Sequence, residues 1–157
     1  MSRTHHHRFF VPPADIGEGF VRFSPAQSHQ IGRVLRLRPG DVVQVFDGTG
    51  CELRAALVSA SAARVLEATR RPPPPLRLSL AQVVPRGTRM DLIVAKATEL
   101  GASRIQPLES AHSVRRAAER MARWQRIAVE AAEQSGRVHV PALARPCDLN
   151  SFLERHP

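Results

Sequence analysis

At 157 residues with 43% hydrophobic content, the chain is long enough for one ordinary domain or two small ones. Its 23 basic and 14 acidic residues leave a formal net charge of +9 and a sequence pI near 11.5, a balance that favours a polyanionic partner. No apolar run is as long as a membrane span, the polar N-terminus lacks a signal-peptide core, and two isolated cysteines, Cys51 and Cys147, argue for a reducing cytoplasm over a disulfide framework.

Lys96 is the single lysine; every other basic residue is arginine. A coding bias towards Arg, Ala and Pro accounts for this, although guanidinium forks also suit phosphate and base edges better than ammonium groups do. Divided at Pro75, the chain carries 10 basic and 6 acidic residues, then 13 and 8, so the charge is not confined to one tail.

In chain order, Met1 to Arg8 (MSRTHHHR) reads as a solvated end. Three consecutive histidines without a second ligand cluster do not make a metal site, and no metal is expected. Phe9, Phe10 and Val11 predict a strand that Pro12-Pro13 stops. Ser24 as N-cap, Pro25 at the first helical position and Gln27 three residues on predict a short helix through His29 to Val34. Pro39-Gly40-Asp41 is a turn, residues 42–46 a strand, and Asp47-Gly48-Thr49-Gly50 a hairpin connection to strands over 53–59 and 64–69. Short strands with glycine turns suggest a small barrel rather than a sandwich. Arg33, Arg36 and Arg38 bracket the helix end and the turn, either as a compact nucleic-acid-binding patch or as a solvated rim.

Arg71 is followed by Pro72, Pro73, Pro74 and Pro75, which can continue neither a ladder nor a helix and favour the stiff polyproline II form. The domain boundary is placed there, between residues 1–72 and 73–157. Beyond it, Leu76, Leu78, Leu80, Val83 and Val84 make an apolar run of strand length that Pro85-Arg86-Gly87 ends. Thr88 and Asp91 have capping-box spacing. Met90, Ile93, Val94, Ala97 and Leu100 form one helical stripe, and Gly101 stands where a left-handed C-cap belongs. With an extended RIQPL at 104–108, the unit is a βαβ crossover, so a parallel sheet is implied and its loops are where a site would sit.

A loop carrying Arg115 and Arg116 leads to a second long helix over 117–135. Met121, Trp124, Ile127, Ala128 and Ala131 fall on one face, and Trp124 at that spacing is core packing before it is a base-stacking platform. Gly136 closes this helix, and Asp148 caps a final short one, LNSFLERH.

Three stretches, HQIGRVLRLRPGDVVQVFDGTG, LAQVVPRGTRMDLIVAKATELGASRIQPLES and RWQRIAVEAAEQSGRVHVP, closely resemble the bacterial family that methylates N3 of a uridine in 16S ribosomal RNA of the small subunit. That family belongs to the SPOUT class, which binds S-adenosylmethionine in a trefoil knot. The resemblance covers nearly the whole chain. It implies a PUA-like RNA-binding β-barrel over residues 1–72, then the first half of a SPOUT α/β methyltransferase domain over 73–157. It also implies a cytoplasmic homodimer at full length. The family holds its cofactor in a GPEGG-like loop and a later Arg-Thr-Glu-Thr-Ala-like segment, and neither occurs in these 157 residues. The donor site is therefore expected to lie outside this chain, as in a truncated product or a fragment, and the chain alone to be inactive.

By carry-over, Lys96 and Glu99 look like the family's KxxELG signature and Arg137, in EQSGR, like its substrate-side arginine; these are the candidate catalytic residues. The bland alternative for the first two is a surface ion pair worth roughly a few tenths of a kcal/mol. Arg33, Arg36, Arg38, Arg86, Arg115 and Arg116 are the candidate RNA contacts. N3 methylation would need a flipped base, loss of the weakly acidic N3 proton and in-line attack on the sulfonium methyl, with an arginine stabilising the uracil anion. A parallel sheet needs both faces covered, so the second domain is expected to expose an edge and to be less well supported than the barrel. A non-enzymatic RNA-binding module is the competing class. A nucleotide-binding α/β protein is disfavoured, because there is no GxGxxG or Walker A loop.

Overall fold

Short alternating apolar segments dominate the first half of the chain, and there the backbone is laid out as strands. The computed structural model describes residues 7–109 and 117–155. The chain divides into two compact units, Met1–Pro73 and Pro74–Pro157. In the first, β1 (Arg8–Phe10), β2 (Ile16–Gly17), β3 (Phe20–Arg22), β4 (Val42–Phe46), β5 (Cys51–Ser59) and β6 (Ala62–Arg70) form one sheet in the order β1-β4-β5-β6-β3-β2. β1 runs parallel to β4 and the other pairs are antiparallel.

Inward-facing Val43, Val45, Leu53, Ala55, Leu57 and Ala63 share one core with Phe9, Val11, Val21, Phe23 and Ile31. Phe9, from one end of the sheet, meets Phe23, just past β3, edge to face at 5.6 Å between ring centroids. The sheet therefore curls round its own core as a half-barrel. β2 and β3 are too short to show a period in the sequence, and only tertiary pairing reveals them.

Ser24 starts α1 (Pro25–His29) with a complete capping box: Gln27 N–H donates to Ser24 Oγ and Ser24 N–H to Gln27 Oε1. Gln27 Nε2 donates to the Phe10 carbonyl at 2.7 Å, tying α1 to β1. The helix expected to run on to Val34 widens instead. Gln30–Val34 is a π-helical segment in which Leu35 N–H reaches the Gln30 carbonyl, with Ile31 fully buried. At the base of the half-barrel, Arg71 N–H donates to the Gly50 carbonyl at 2.8 Å. Its guanidinium holds Glu52 Oε2 at 2.9 Å, while Arg8 takes Glu52 Oε1 at 3.5 Å and lies over the Phe46 ring at 4.2 Å.

The second unit is a βαβ crossover with additions. β7 (Ser79–Val83) pairs in parallel with β8 (Arg104–Glu109), and β9 (Ala142–Leu143) and β10 (Cys147–Asp148) pair in parallel with β8 at its two ends. α2 (Arg89–Leu100) and α3 (Ala117–Ser135) close over a core of Val84, Met90, Val94, Ala97, Ile105, Ala117, Trp124 and Ala128. Gly101 caps α2 at a left-handed φ of 88°. Asp148 accepts from Ser151 N–H and Oγ at the start of α4 (Leu149–Arg155).

Three local expectations change. The first strand of this unit begins at Ser79; Leu76 and Leu78 lie outside it, 69% and 58% exposed. Leu100 is 80% exposed, so the apolar stripe of α2 ends at Ala97. Thr88 makes no side-chain cap. Asp91, its expected partner, is drawn to α3 instead, where Arg123 Nε and Nη2 donate to Oδ2 at 3.0 and 2.8 Å and Trp124 Nε1 donates to Oδ1 at 3.2 Å. Three N–H donors on two residues of a neighbouring helix outcompete one backbone N–H.

Candidate functional site

The C-terminus of α2 brings the three candidate catalytic residues together. Lys96 and Glu99 share a helix face at i, i+3, and Lys96 Nζ sits 2.8 Å from Glu99 Oε2. Arg137, just past α3, donates from Nε and Nη2 to the Glu99 carbonyl at 3.1 and 2.8 Å. Its positive charge lies at the negative end of the helix dipole. A Cβ built on Gly101 would come within 2.7 Å of Arg137 Nη1, so glycine is what lets the guanidinium approach. The Lys96–Glu99 pair is 59% and 37% exposed, and a pair so open to solvent contributes at most about 1 kcal/mol.

The candidate RNA contacts fall in different places. Arg33, Arg36 and Arg38 are all exposed on the π-helical segment and the turn after it, with Arg36 in the left-handed region at φ 54°. Asp41 Oδ2 accepts from Arg38 N–H at 2.7 Å and fixes that turn. Arg86 is exposed in the turn after β7. That turn is held by a residue the sequence did not single out for it: Arg120 Nη1, on α3, donates to the Gly87 carbonyl at 2.7 Å. Arg120 and Arg123 recur at i, i+3 on α3, a spacing that marks them as one face turned towards α2 and its N-terminal turn. Arg115 and Arg116 lie outside the described residues.

The hairpin turn of the first unit is rigidly hydrogen-bonded. Burial works against the charged form of Asp47, but Thr49 Oγ1, Thr49 N–H and Cys51 N–H all donate to its carboxylate, with Arg70 nearby, and the pKa ends below its ordinary value. Burial, with the Asp47 charge adding to it, pushes the Cys51 thiol up. Cys51 and Cys147 are both free. Among the described residues no group of His, Cys, Asp and Glu is arranged to hold a metal ion, and no helix is long and apolar enough to cross a membrane.

No buried side-chain polar atom among the described residues lacks a hydrogen-bond partner. A Cβ at Gly87 or Gly136 would meet nothing, and the close approach at Gly101 is filled by the chain's own Arg137.

A family model described as an RNA methyltransferase PUA domain matches residues 23–66, and one described as an RNA methyltransferase domain matches residues 72–157. Ribosomal RNA small subunit methyltransferase E of Synechocystis sp. is 38% identical over 153 residues, covering 95% of this chain and 50% of that protein. The Bacillus subtilis protein of the same name is 35% identical over 136 residues, covering 80% and 52%. The crystal structure of ribosomal RNA small subunit methyltransferase E from Neisseria gonorrhoeae bound to S-adenosyl methionine superposes with a TM-score of 0.84 at 33% identity, covering 98% of this chain and 66% of that one. The chain spans about half the length of the curated relatives it matches. The half-barrel is thus the PUA domain and the parallel βαβ unit the α/β methyltransferase domain of the expected architecture. With the methyltransferase model alone taking in more than half of its residues, the chain belongs to the RNA methyltransferase family that carries a PUA domain ahead of the catalytic one.

Proposed function

We propose that these residues form the RNA-gripping and opening catalytic portion of an S-adenosylmethionine-dependent enzyme that methylates N3 of a uridine in 16S ribosomal RNA. The carrying observation is the 38% identity to ribosomal RNA small subunit methyltransferase E across 95% of the chain, together with a PUA-domain match at residues 23–66 ahead of a methyltransferase-domain match at 72–157. The net charge of +9 suits a polyanionic substrate. Arg33, Arg36, Arg38 and Arg86, with Arg115 and Arg116, are the proposed phosphate contacts. Arg137, Glu99 and Lys96, gathered at the end of α2, are the proposed substrate-side group. Arg137 there serves first to hold the helix end. The full-length enzyme would act as a cytoplasmic homodimer, and S-adenosylmethionine supplies the electrophilic methyl group when bound.

A second reading, an RNA-binding module without transfer, rests on the PUA-domain match at residues 23–66 together with the net charge of +9. A chimera separates the two. These 157 residues are grafted in place of the matching half of the Bacillus subtilis relative and given labelled S-adenosylmethionine with unmethylated small subunits. Label at uridine N3 is expected from the chimera and none from the chain alone. A folded, donor-binding chimera that leaves the RNA unlabelled would overturn the enzymatic proposal. Transfer by the chain alone would overturn the placement of the donor site.

A further inference from the structure

The outer face of the half-barrel carries an aromatic surface that the arginine patch around Arg36 does not explain. Of the six phenylalanines, Phe20 is the exposed one, at 46%. The β3–β6 register sets its orientation: Val21 pairs with Ala63, and both are fully buried, so Phe20 and its partner Arg64 point outwards. Arg22 lies two residues on along the same outward face. On its other flank Phe20 pairs with Gly17, and a Cβ there would meet nothing within 4 Å. The ring thus has Arg64 on one flank and open space at Gly17 on the other.

The charge on this face is uncompensated. Among the described residues neither Arg22 nor Arg64 enters an ion pair or a side-chain hydrogen bond, and no guanidinium covers the Phe20 ring, unlike Arg8 over Phe46. Of the two acidic residues on these strands and their turn, Glu67 is neutralised by Arg54 at 3.2 Å, which leaves Glu18 against two arginines. The bulge residues Val58 and Leu66 add exposed apolar surface at 54% and 49%. A second copy of the chain is a poor occupant, because a two-fold contact would set Arg22 and Arg64 against themselves. Duplex RNA offers no free base face. An exposed aromatic ring on a sheet, beside two arginines that enter no ion pair, is instead the chemistry that stacks an unpaired base and neutralises its phosphates.

We infer that Phe20, flanked by Arg22 and Arg64 and facing the gap at Gly17, is a stacking site for an unpaired nucleotide of single-stranded RNA. The inference rests on the proposed RNA grip and adds a second contact surface to it. It is tested by fluorescence anisotropy of the 157-residue chain with a labelled single-stranded oligouridine and a hairpin RNA duplex, over a range of salt. Phe20→Ala should weaken single-strand binding about 5- to 100-fold and leave duplex binding and the salt slope unchanged. Arg22→Ala and Arg64→Ala should each lower the salt slope by about one. Gly17→Val should weaken stacking beside an intact ring, and Phe20→Trp should restore binding with quenched indole emission; these two variants keep the test independent of any folding loss in Phe20→Ala.

Single-strand binding by Phe20→Ala equal to that of the parent chain overturns the inference alone, as does a Phe20-dependent self-association seen by sedimentation without RNA. No binding of the parent chain to either RNA removes the proposed grip as well.

Discussion

Arg137 and Glu99, 38 positions apart, are joined by two hydrogen bonds from the guanidinium to the helix-terminal carbonyl. Gly101 makes room for that contact at a φ of 88°. Gly101→Ala should destabilise the chain by about 1–2 kcal/mol from the left-handed backbone alone, with a further loss from the displaced arginine. Combined with Arg137→Ala the two costs should be less than additive, since the new Cβ then enters vacated space. Urea midpoints of the four proteins in the cycle measure this.

The Asp91 carboxylate staples α2 to α3 through a buried indole and an exposed guanidinium. Asp91→Ala leaves Trp124 Nε1 without its acceptor and should cost about 1–3 kcal/mol. Arg123→Ala, which breaks only a pair 54% and 19% exposed, should cost less than Asp91→Ala. If the two variants melt at the same temperature, the indole contact is not what holds the helices together.

Acid should weaken the first unit at the hairpin turn. Asp47 has a folded pKa below its ordinary value of 3.8, so its contribution is fully present above that value and is lost as pH falls through the lower folded one. The stability difference between the parent chain and Asp47→Asn should therefore be constant from neutral pH down to the ordinary carboxylate range and then shrink. A difference that grows on acidification would contradict the assignment.

Limited proteolysis should cut the second unit first. Among the described residues β7 pairs only with β8, and Leu76 and Leu78 just ahead of it, with Val83 at its end, are exposed. A sheet edge with exposed apolar neighbours opens more readily than one wrapped on its core. Equal resistance of the two units, read by mass spectrometry of early fragments, would count against this.

Elements whose signals lie within a few residues of one another were legible before any coordinates. The Ser24-Pro25-Gln27 box, the Asp47–Gly50 turn, the limits of α3 and the Gly101 cap all follow from side chains acting on nearby backbone. Covalent spacing alone determines whether those groups can meet. The resemblance carried by three long motifs supplied the family, and the gathering of Lys96, Glu99 and Arg137 came from the fold.

What only the tertiary structure decided were choices between competing partners far apart in sequence. Asp91 could cap its own helix or bind α3, and three N–H donors on α3 prevail. Leu100 fits the apolar stripe of α2 yet is 80% exposed. The exposure of Phe20 depends on the register of β3 against β6, which a three-residue strand cannot encode by period. Hydrophobicity says that a residue would gain from burial; the finite surface of the neighbouring elements decides which residues are covered.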